Sequence, residues 1–281
     1  MKNNNIVSNR IKKIIIKLLF ILCFIIFFYC GIKIILWFKD NYNTKKNITE
    51  TENNVKIVED KGNNVEEVNP PKEEKVTKEY ISDYYYYMSL PFMSVDLGEL
   101  TKKNSDTVGW IRINGTDINY PVVQTSDNDY YINHAFDKSY NAAGWIFGDY
   151  RCNFDSFGRN TIIYGHNRLD NTLFGTLLNV TNPSFGTNKD NRVIQLSTKT
   201  KNTLWEIFTV YTVDKNVNYL LTYFEDENMY SKYLEEAKNR SAYNLGVNVD
   251  SNDRILTLST CANDVNYRVV VQAKLIKITD K

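Results

Sequence analysis

The sequence predicts a mostly β domain, an antiparallel barrel or sandwich with a few inserted helices, behind one membrane-spanning helix. Three observations predict it. Residues 14–38 form a long apolar run near the N-terminus. Beyond residue 100 the chain divides into many short β-rich runs separated by turn residues. One segment, residues 225–243, instead spaces its apolar side chains at helical intervals.

The composition indicates one sizeable folded domain. The chain has 281 residues, of which 43% are hydrophobic and 14% aromatic, and this is enough to build a large core. The formal net charge is only +1. Since nucleic-acid binding usually needs a strong positive field, we predict no nucleic-acid partner.

Residues 14–38 have the length of a transmembrane helix, which needs about 20 apolar residues. Lys17 and Lys33 lie towards the ends of the run, where their side chains can reach the headgroups. A cleaved signal peptide would end in small residues, but the first alanine of the chain is Ala135. We therefore predict a retained anchor. Four basic residues within residues 1–13 favour a cytoplasmic N-terminus and an extracellular domain.

Residues 39–80 are rich in Asn, Lys, Glu and Val and include the segment NPPKEEK. They show no sustained period of 2 or 3.6 residues. This composition is typical of a solvated linker. We therefore predict a flexible tether over 39–80 and a globular domain over 81–281.

The predicted domain begins with a short helix over residues 96–103. Eight β-rich runs follow, at 108–113, 118–124, 144–150, 160–167, 192–198, 203–213, 254–261 and 268–278. The run 203–213 alternates apolar and polar side chains, so we expect one buried face. The helix over 225–243 is expected to bury residues at helical spacing, namely Met229, Tyr233, Leu234 and Ala237.

Four cysteines occur, and Cys23 and Cys30 belong to the apolar run. Cys152 and Cys261 remain in the soluble part, neither of them in a C-x-x-C pair. With only two histidines in the chain, no cluster has the ligand number of a zinc site. We predict no metal and no cofactor. A disulfide between Cys152 and Cys261 is an open alternative in an oxidising compartment.

Cys261 ends the run ILTLSTC, and Arg268 opens the next predicted strand after a polar turn. The two side chains are therefore expected to be neighbours. A thiol with the ordinary pKa of about 8.5 is mostly protonated at neutral pH, so a nucleophilic cysteine needs a base or a positive charge nearby. The guanidinium of Arg268 supplies that charge and could also stabilise an oxyanion.

A cysteine nucleophile that expels an amine needs a proton donor for the departing nitrogen. Histidine is the side chain that titrates near neutrality without help. His166 ends the run TIIYGH, whereas His134 lies among aromatic residues in YYINHAF. We predict His166 as the general acid and base because the end of a rigid strand positions a side chain well. His134 is predicted to be a packed or hydrogen-bonded histidine.

Each of these residues alone is more often structural: a buried cysteine, a packed histidine, a surface arginine. A phosphatase-like loop is a rival interpretation that the spacing disfavours. Such loops place five residues between cysteine and arginine and contain glycine, whereas six residues without glycine separate Cys261 from Arg268.

Three motifs taken together resemble a known family. The run TLSTC, a short turn, RVVVQAKLI and the upstream YGHN resemble the sortases, the membrane-anchored cysteine transpeptidases of Gram-positive bacteria. The resemblance extends over residues 95–278 and includes GWIRINGTDINYPVVQ. It implies an eight-stranded β-barrel with Cys261 and Arg268 on adjacent strands. The helix at 225–243 and the helical start of the domain look most like class B.

The resemblance also implies roles. Cys261 is the nucleophile, His166 the general acid and base, and Arg268 the oxyanion-stabilising residue. The implied partners are surface proteins with a C-terminal sorting signal, cleaved after threonine, and a peptidoglycan precursor that offers an amine. A pilus-polymerising sortase, a hydrolytic cysteine protease and a non-catalytic, membrane-tethered binding domain remain alternatives. The sorting motif itself is left open.

Overall fold

The computed structural model describes residues 2–62, 64–71, 78–261 and 264–281, and of Cys261 it describes the backbone. The chain divides into two compact units, the first ending at Lys45 and the second running from Lys46 to Lys281.

The N-terminal helix, α1, spans Lys2–Asn53 and contains the predicted transmembrane run. Its part Lys12–Asn53 is long and apolar enough to cross a membrane by length and composition. The helix also continues through the first part of the predicted tether. Residues 39–53 contain neither proline nor glycine, and Lys46 pairs with Glu50 one turn later at 3.7 Å, so nothing in this stretch interrupts a helix.

Two short strands also lie within the predicted tether, so the structure differs from the prediction of a flexible linker there. Strand β1 (Ile57–Asp60) pairs antiparallel with β3 (Phe92–Val95). Strand β2 (Glu66–Glu67) pairs with the last strand of the chain. Both strands are short and polar, and their partners are distant in sequence, so local periodicity does not reveal them.

Helix α2 (Lys78–Ser89) and helix α3 (Gly98–Lys103) precede the barrel. Eight strands then form it: β4 (Thr107–Ile113), β5 (Asn119–Val123), β6 (Phe147–Gly148), β7 (Asn160–Tyr164), β8 (Val193–Thr198), β9 (Lys201–Asp214), β10 (Ile255–Cys261) and β11 (Tyr267–Asp280). Their order is β10-β7-β6-β5-β4-β8-β9-β11, and pairing of β10 with β11 closes the ring.

The eight-stranded barrel predicted from the family resemblance is confirmed, and closure of the ring decides between the barrel and the sandwich. The barrel is mixed rather than wholly antiparallel. The pairs β5–β6 and β7–β10 are parallel, and the other pairs in the ring are antiparallel. The parallel β7–β10 pair brings the carboxyl ends of both strands to one edge of the barrel.

The barrel core is built around three fully buried indoles, those of Trp110, Trp145 and Trp205. Each indole N–H donates a hydrogen bond, the one of Trp145 to the carbonyl of Pro121 at 3.0 Å. A buried indole therefore adds apolar area without leaving a polar atom unpaired.

Strand β9 is buried on both faces from residue 202 to residue 211, against the prediction of one buried face. Tyr84 and Tyr87 of α2 pack with Leu204 on the outer side. The hydroxyl of Thr209 donates to the carbonyl of Ala237 at 2.9 Å. Ala237 belongs to the helix Glu227–Asn239. Helices distant in sequence therefore cover the outer face of β9. The alternation of apolar and polar side chains had predicted that this face is exposed to solvent.

Helix α5 (Glu227–Asn239) occupies the predicted 225–243 segment, and Asp226 caps it by accepting from the Met229 N–H at 2.7 Å. The helix buries Tyr230, with Tyr233, Leu234 and Ala237. Met229, which we predicted to be buried, is 37% exposed. Adjacent residues differ by about 100° around a helix, so the buried stripe passes through Tyr230 instead. A short helix, α4 (Pro183–Thr187), was not predicted.

Candidate active site

Backbone register brings the three predicted site residues to one edge of the barrel. In the parallel β7–β10 pair, Tyr164 lies opposite Ser259. His166 and Cys261 each follow two residues later, so the register places both just past this edge. In the β10–β11 hairpin, Cys261 lies directly opposite Arg268. The predicted adjacency of Cys261 and Arg268 is therefore confirmed for the backbone, while the side chain of Cys261 lies outside the described residues.

The imidazole of His166 is held by the backbone of a neighbouring segment. Its Nε2 lies 2.8 Å from the carbonyl oxygen of Ile132. Because a carbonyl only accepts, Nε2 carries the proton in this contact. Proton exchange with a ligand then takes place at Nδ1, or at Nε2 after this bond opens.

Gly144 makes room for this arrangement. Its backbone lies in the left-handed region, with φ of +59°. A Cβ here would lie 2.6 Å from the Ile132 carbonyl oxygen and 2.9 Å from Cδ2 of His166. Both the backbone conformation and the close approach therefore require glycine.

Arg268 is oriented by its own turn. Its Nη1 donates to the carbonyls of Val265 and Tyr267 at 2.9 and 3.0 Å. The side chain remains half-buried and lines the same groove as His166. A guanidinium held in this way is a preorganised hydrogen-bond donor for an anionic oxygen.

The groove at this edge has a volume of about 440 Å³. Ile132, Phe147 and Leu220 provide apolar wall, and Ser259 and Thr260 of β10 contribute hydroxyls next to Cys261. Thr260 is 3% exposed, and its hydroxyl has no hydrogen-bond partner among the described residues. An apolar groove with a few convergent polar groups suits an extended peptide.

Sequence reasoning missed several residues that line this groove, among them Asn128, Tyr164, Tyr219 and Leu220. Asn128, Tyr219 and Leu220 belong to loops, where the sequence shows no hydrophobic periodicity. Tyr164 was predicted only as part of a strand. The position of Tyr164 two residues before His166 was the one available signal, because both side chains alternate to the same face of an extended strand.

Cys152 is a free thiol in a separate place. Its Sγ accepts from the Ile162 N–H at 3.3 Å. Ile162 pairs with Thr257, four residues before Cys261, which is about 13 Å away along an extended strand. This distance excludes the disulfide between Cys152 and Cys261 that the sequence left open.

His134 is a packed histidine, as predicted. Its ring stacks on Tyr130 with centroids 4.0 Å apart, and its Nδ1 lies 2.7 Å from the Tyr130 carbonyl oxygen. Tyr140 contacts the same ring edge-on at 6.0 Å.

A larger cavity, of about 900 Å³, lies between β1, β3 and α3. Its polar lining consists mainly of lysines and aspartates, with neither cysteine nor histidine. Volume alone therefore does not locate the chemistry, and the smaller groove at the β7–β10 edge is the candidate active site.

Comparisons with known proteins agree with this fold. The model of the sortase domain family matches residues 111–276. Sortase B of Staphylococcus aureus (strain NCTC 8325 / PS 47) is 38% identical over 183 residues, which cover 64% of this chain and 74% of that protein.

Solved structures give the same result. A Staphylococcus aureus sortase B–substrate complex superposes with a TM-score of 0.60 at 39% identity, covering 63% of this chain and 83% of that one. Sortase B from Bacillus anthracis in complex with AAEK1 superposes with a TM-score of 0.66 at 31% identity, covering 85% and 99%.

These matches identify a sortase transpeptidase, and the chain belongs to the sortase family. Within that family it is most like the class B enzymes.

Proposed function

We propose that this protein is a membrane-anchored sortase that cleaves a C-terminal sorting signal after threonine and transfers the surface protein to an amine of the cell wall. One observation carries the proposal: Cys261 lies opposite Arg268 and level with His166 at the edge of a sortase barrel.

In the first half-reaction, the thiolate of Cys261 attacks the carbonyl carbon of the threonine. The carbon–sulfur bond forms, the peptide carbon–nitrogen bond breaks, and His166 gives its proton to the departing amine. A thioacyl enzyme results, and the C-terminal fragment of the signal leaves.

In the second half-reaction, an amine of a peptidoglycan precursor attacks the thioester. His166 takes the proton of this amine, the new amide bond forms, and the thiolate of Cys261 is the leaving group. The same imidazole therefore acts as acid in the first half and as base in the second.

Arg268 stabilises the negative oxygen of both tetrahedral intermediates. Two carbonyls of its own turn hold its Nη1, so the guanidinium need not reorganise when the charge develops. Preorganised donors of this kind contribute about 3 to 4 kcal/mol to the transition state.

The anchor completes the proposal. Helix α1 would hold residues 14–38 in the membrane, with residues 1–13 in the cytoplasm and the barrel outside the cell. A C-terminal epitope tag that antibodies reach on intact cells would support this topology, and a tag reached only after lysis would contradict it.

The experiment that tests the proposal uses the full chain in detergent micelles. It would be incubated with a panel of LPxTG-like, NPxTN-like and (S/N)PxTG-like peptides and an amine acceptor, and mass spectrometry would follow the products. We expect a thioacyl adduct and an amine-linked product from one peptide, both absent in Cys261→Ala.

Other outcomes identify the alternatives. A free-acid product without amine adduct would indicate a hydrolytic protease. Preference for a lysine of a pilin-like peptide over a cell-wall amine would indicate a pilus-polymerising sortase. No adduct with any peptide, while the thiol is reduced and reactive, would contradict the proposal and favour a binding domain.

A further inference from the structure

The carboxylate of Asp149 is fully buried and lies just beyond strand β6. Its oxygens accept hydrogen bonds from side chains of three separate segments: Tyr164 at 2.7 Å, Asn128 at 3.0 Å and Arg151 at 2.7 and 2.8 Å. A buried charge is costly unless it is paired in this way.

Two of these donors line the groove of the candidate active site. Tyr164 comes from the end of β7, and Asn128 from the loop after β5. The Asn128 side chain is fixed at both ends, because its Oδ1 also accepts from the Tyr150 N–H at 3.0 Å. Asp149 thus helps to fix the side chains of both groove residues.

Arg151 extends the network to a third segment that lines the groove. Its guanidinium binds Asp149 in a bidentate manner, and its Nη2 also donates to the carbonyl of Leu220 at 3.1 Å. Leu220 lines the groove and belongs to the connection between β9 and α5, where residues 218–224 have no regular structure. The Asp149–Arg151 pair is therefore one of the contacts that hold this irregular segment, beside the hydrogen bonds from Asn160 to the Leu221 carbonyl and from Tyr233 to the Tyr219 carbonyl.

Burial alone would raise the pKa of Asp149, but hydrogen bonds from Arg151 and Tyr164 outweigh burial and hold the pKa below its ordinary value. Asp149 is therefore ionised at neutral pH. Burial and the adjacent carboxylate raise the pKa of Tyr164, so the tyrosine keeps the proton that it donates to Asp149.

The reacting groups are held separately. His166 is bound by the carbonyl of Ile132, and Arg268 by the carbonyls of its own turn. Neither of these contacts passes through Asp149. The network therefore shapes the surface on which a peptide would lie, without touching the acid, the base or the oxyanion donor.

We propose that Asp149 is the positioning residue of the sorting-signal groove, holding Tyr164, Asn128 and, through Arg151, Leu220 in the arrangement that binds the peptide. The inference rests on the proposed function and specifies how that site recognises its peptide.

The test compares Asp149→Asn with the wild type, as full chains in detergent, on the peptide that the wild type cleaves. We expect the KM for the peptide to rise about tenfold, since the lost hydrogen bonds are charge-assisted. We expect kcat, the KM for the amine acceptor and the rate of Cys261 alkylation to change less than twofold, because these depend on groups outside the network.

Asp253→Asn is the matched control. Asp253 is 2% exposed and pairs with Lys274 at 3.4 Å, and Asn69 donates to it at 2.9 Å. These partners do not line the groove. The control should therefore lose stability, as Asp149→Asn does, without raising the KM for the peptide.

If Asp149→Asn fails to fold, Arg151→Lys and Tyr164→Phe test the same network, because each changes a single donor to Asp149. A lysine replaces the two-nitrogen fork of Arg151 by a single ammonium nitrogen and so loses the bidentate pair with Asp149. Arg151→Lys should therefore raise the KM for the peptide, but less than Asp149→Asn does. An unchanged KM in both variants would overturn the inference.

The two proposals fail in different ways. If the wild type cleaves a peptide and Asp149→Asn behaves like Asp253→Asn, the positioning role is wrong and the proposed function stands. If the wild type cleaves no peptide of the panel, both are overturned.

Discussion

The two cysteines of the globular unit differ in what surrounds them. Cys152 is largely buried beside β7, and burial raises the pKa of its thiol to about 11. It is therefore protonated and unreactive at neutral pH. Cys261 ends β10 opposite an arginine, where a thiolate would be stabilised.

Alkylation should separate the two thiols. We expect iodoacetamide to abolish activity in the wild type and in Cys152→Ser, and to label Cys261 first, because the thiolate is the reactive form. Peptide mapping by mass spectrometry gives the order of labelling. Loss of activity in untreated Cys152→Ser would show that Cys152 has a role the structure does not explain.

Arg268→Lys should lower kcat/KM by about 100-fold, because the carbonyls of Val265 and Tyr267 are bound by Nη1 alone and a lysine has no further nitrogen to direct towards the oxyanion. Steady-state kinetics with the cleaved peptide measure this. Arg254→Lys is the control, since Arg254 lies immediately before β10 and, among the described residues, its side chain donates a hydrogen bond only to the Ser156 carbonyl, at 3.5 Å. Near-normal activity of Arg268→Lys would contradict the oxyanion role.

At the scale of elements, the site depends on register. Backbone pairing in the parallel β7–β10 pair and in the β10–β11 hairpin places His166, Cys261 and Arg268 at the same edge of the barrel. The imidazole of His166 is then held by the segment around Ile132, which passes close to Gly144. A side chain added at Gly144 should therefore move the histidine, either through that segment or by direct contact with the ring.

Gly144→Ala tests this. The new Cβ would displace the 131–132 backbone or the His166 ring, so we expect kcat to fall by tenfold or more and its pH profile to shift. Gly246→Ala is the matched control, because Gly246 also has a positive φ, +71°, but has nothing within 4 Å of an added Cβ. Equal effects of the two substitutions would mean that backbone strain alone is responsible.

At the scale of the whole molecule, helix α2 covers an outer face of the barrel and helps to bury the carboxyl of Glu206 on β9. Both oxygens of this fully buried group lack a hydrogen-bond partner among the described residues. Burial raises the pKa of Glu206 to about 8. The folded unit therefore holds a neutral carboxylic acid where the unfolded chain would hold a carboxylate.

This arrangement makes stability depend on pH. The stabilising contribution of protonated Glu206 is fully present below the ordinary pKa of 4.5 and is lost as the pH rises towards about 8. Glu206→Gln, which stays neutral, should increase the free energy of unfolding at pH 8 by about 1 kcal/mol or more and flatten its decline between pH 5 and 8. Urea unfolding at several pH values measures this. An equal decline in both proteins would show that Glu206 is not the titrating group.

The barrel strands were predictable to within a few residues because each is a β-rich run bounded by turn residues. The run 118–124, for instance, became Asn119–Val123. The run 144–150 shortened to Phe147–Gly148, since residues before it turn back to bind the 131–132 segment. Polar β1 and β2 show no sustained period and pair with distant strands, so local reasoning assigned them to a tether.

The sequence by itself determined the apolar run, the order of the strands and the identity of Cys261, His166 and Arg268 as candidate residues. These features are local patterns of side-chain type. Tertiary structure alone decided that the ring of strands closes and that Cys152 is too far from Cys261 for a disulfide. It also decided that Asp149 accepts hydrogen bonds from Tyr164, Asn128 and Arg151, because contacts between distant segments depend on register and burial, which no single segment carries.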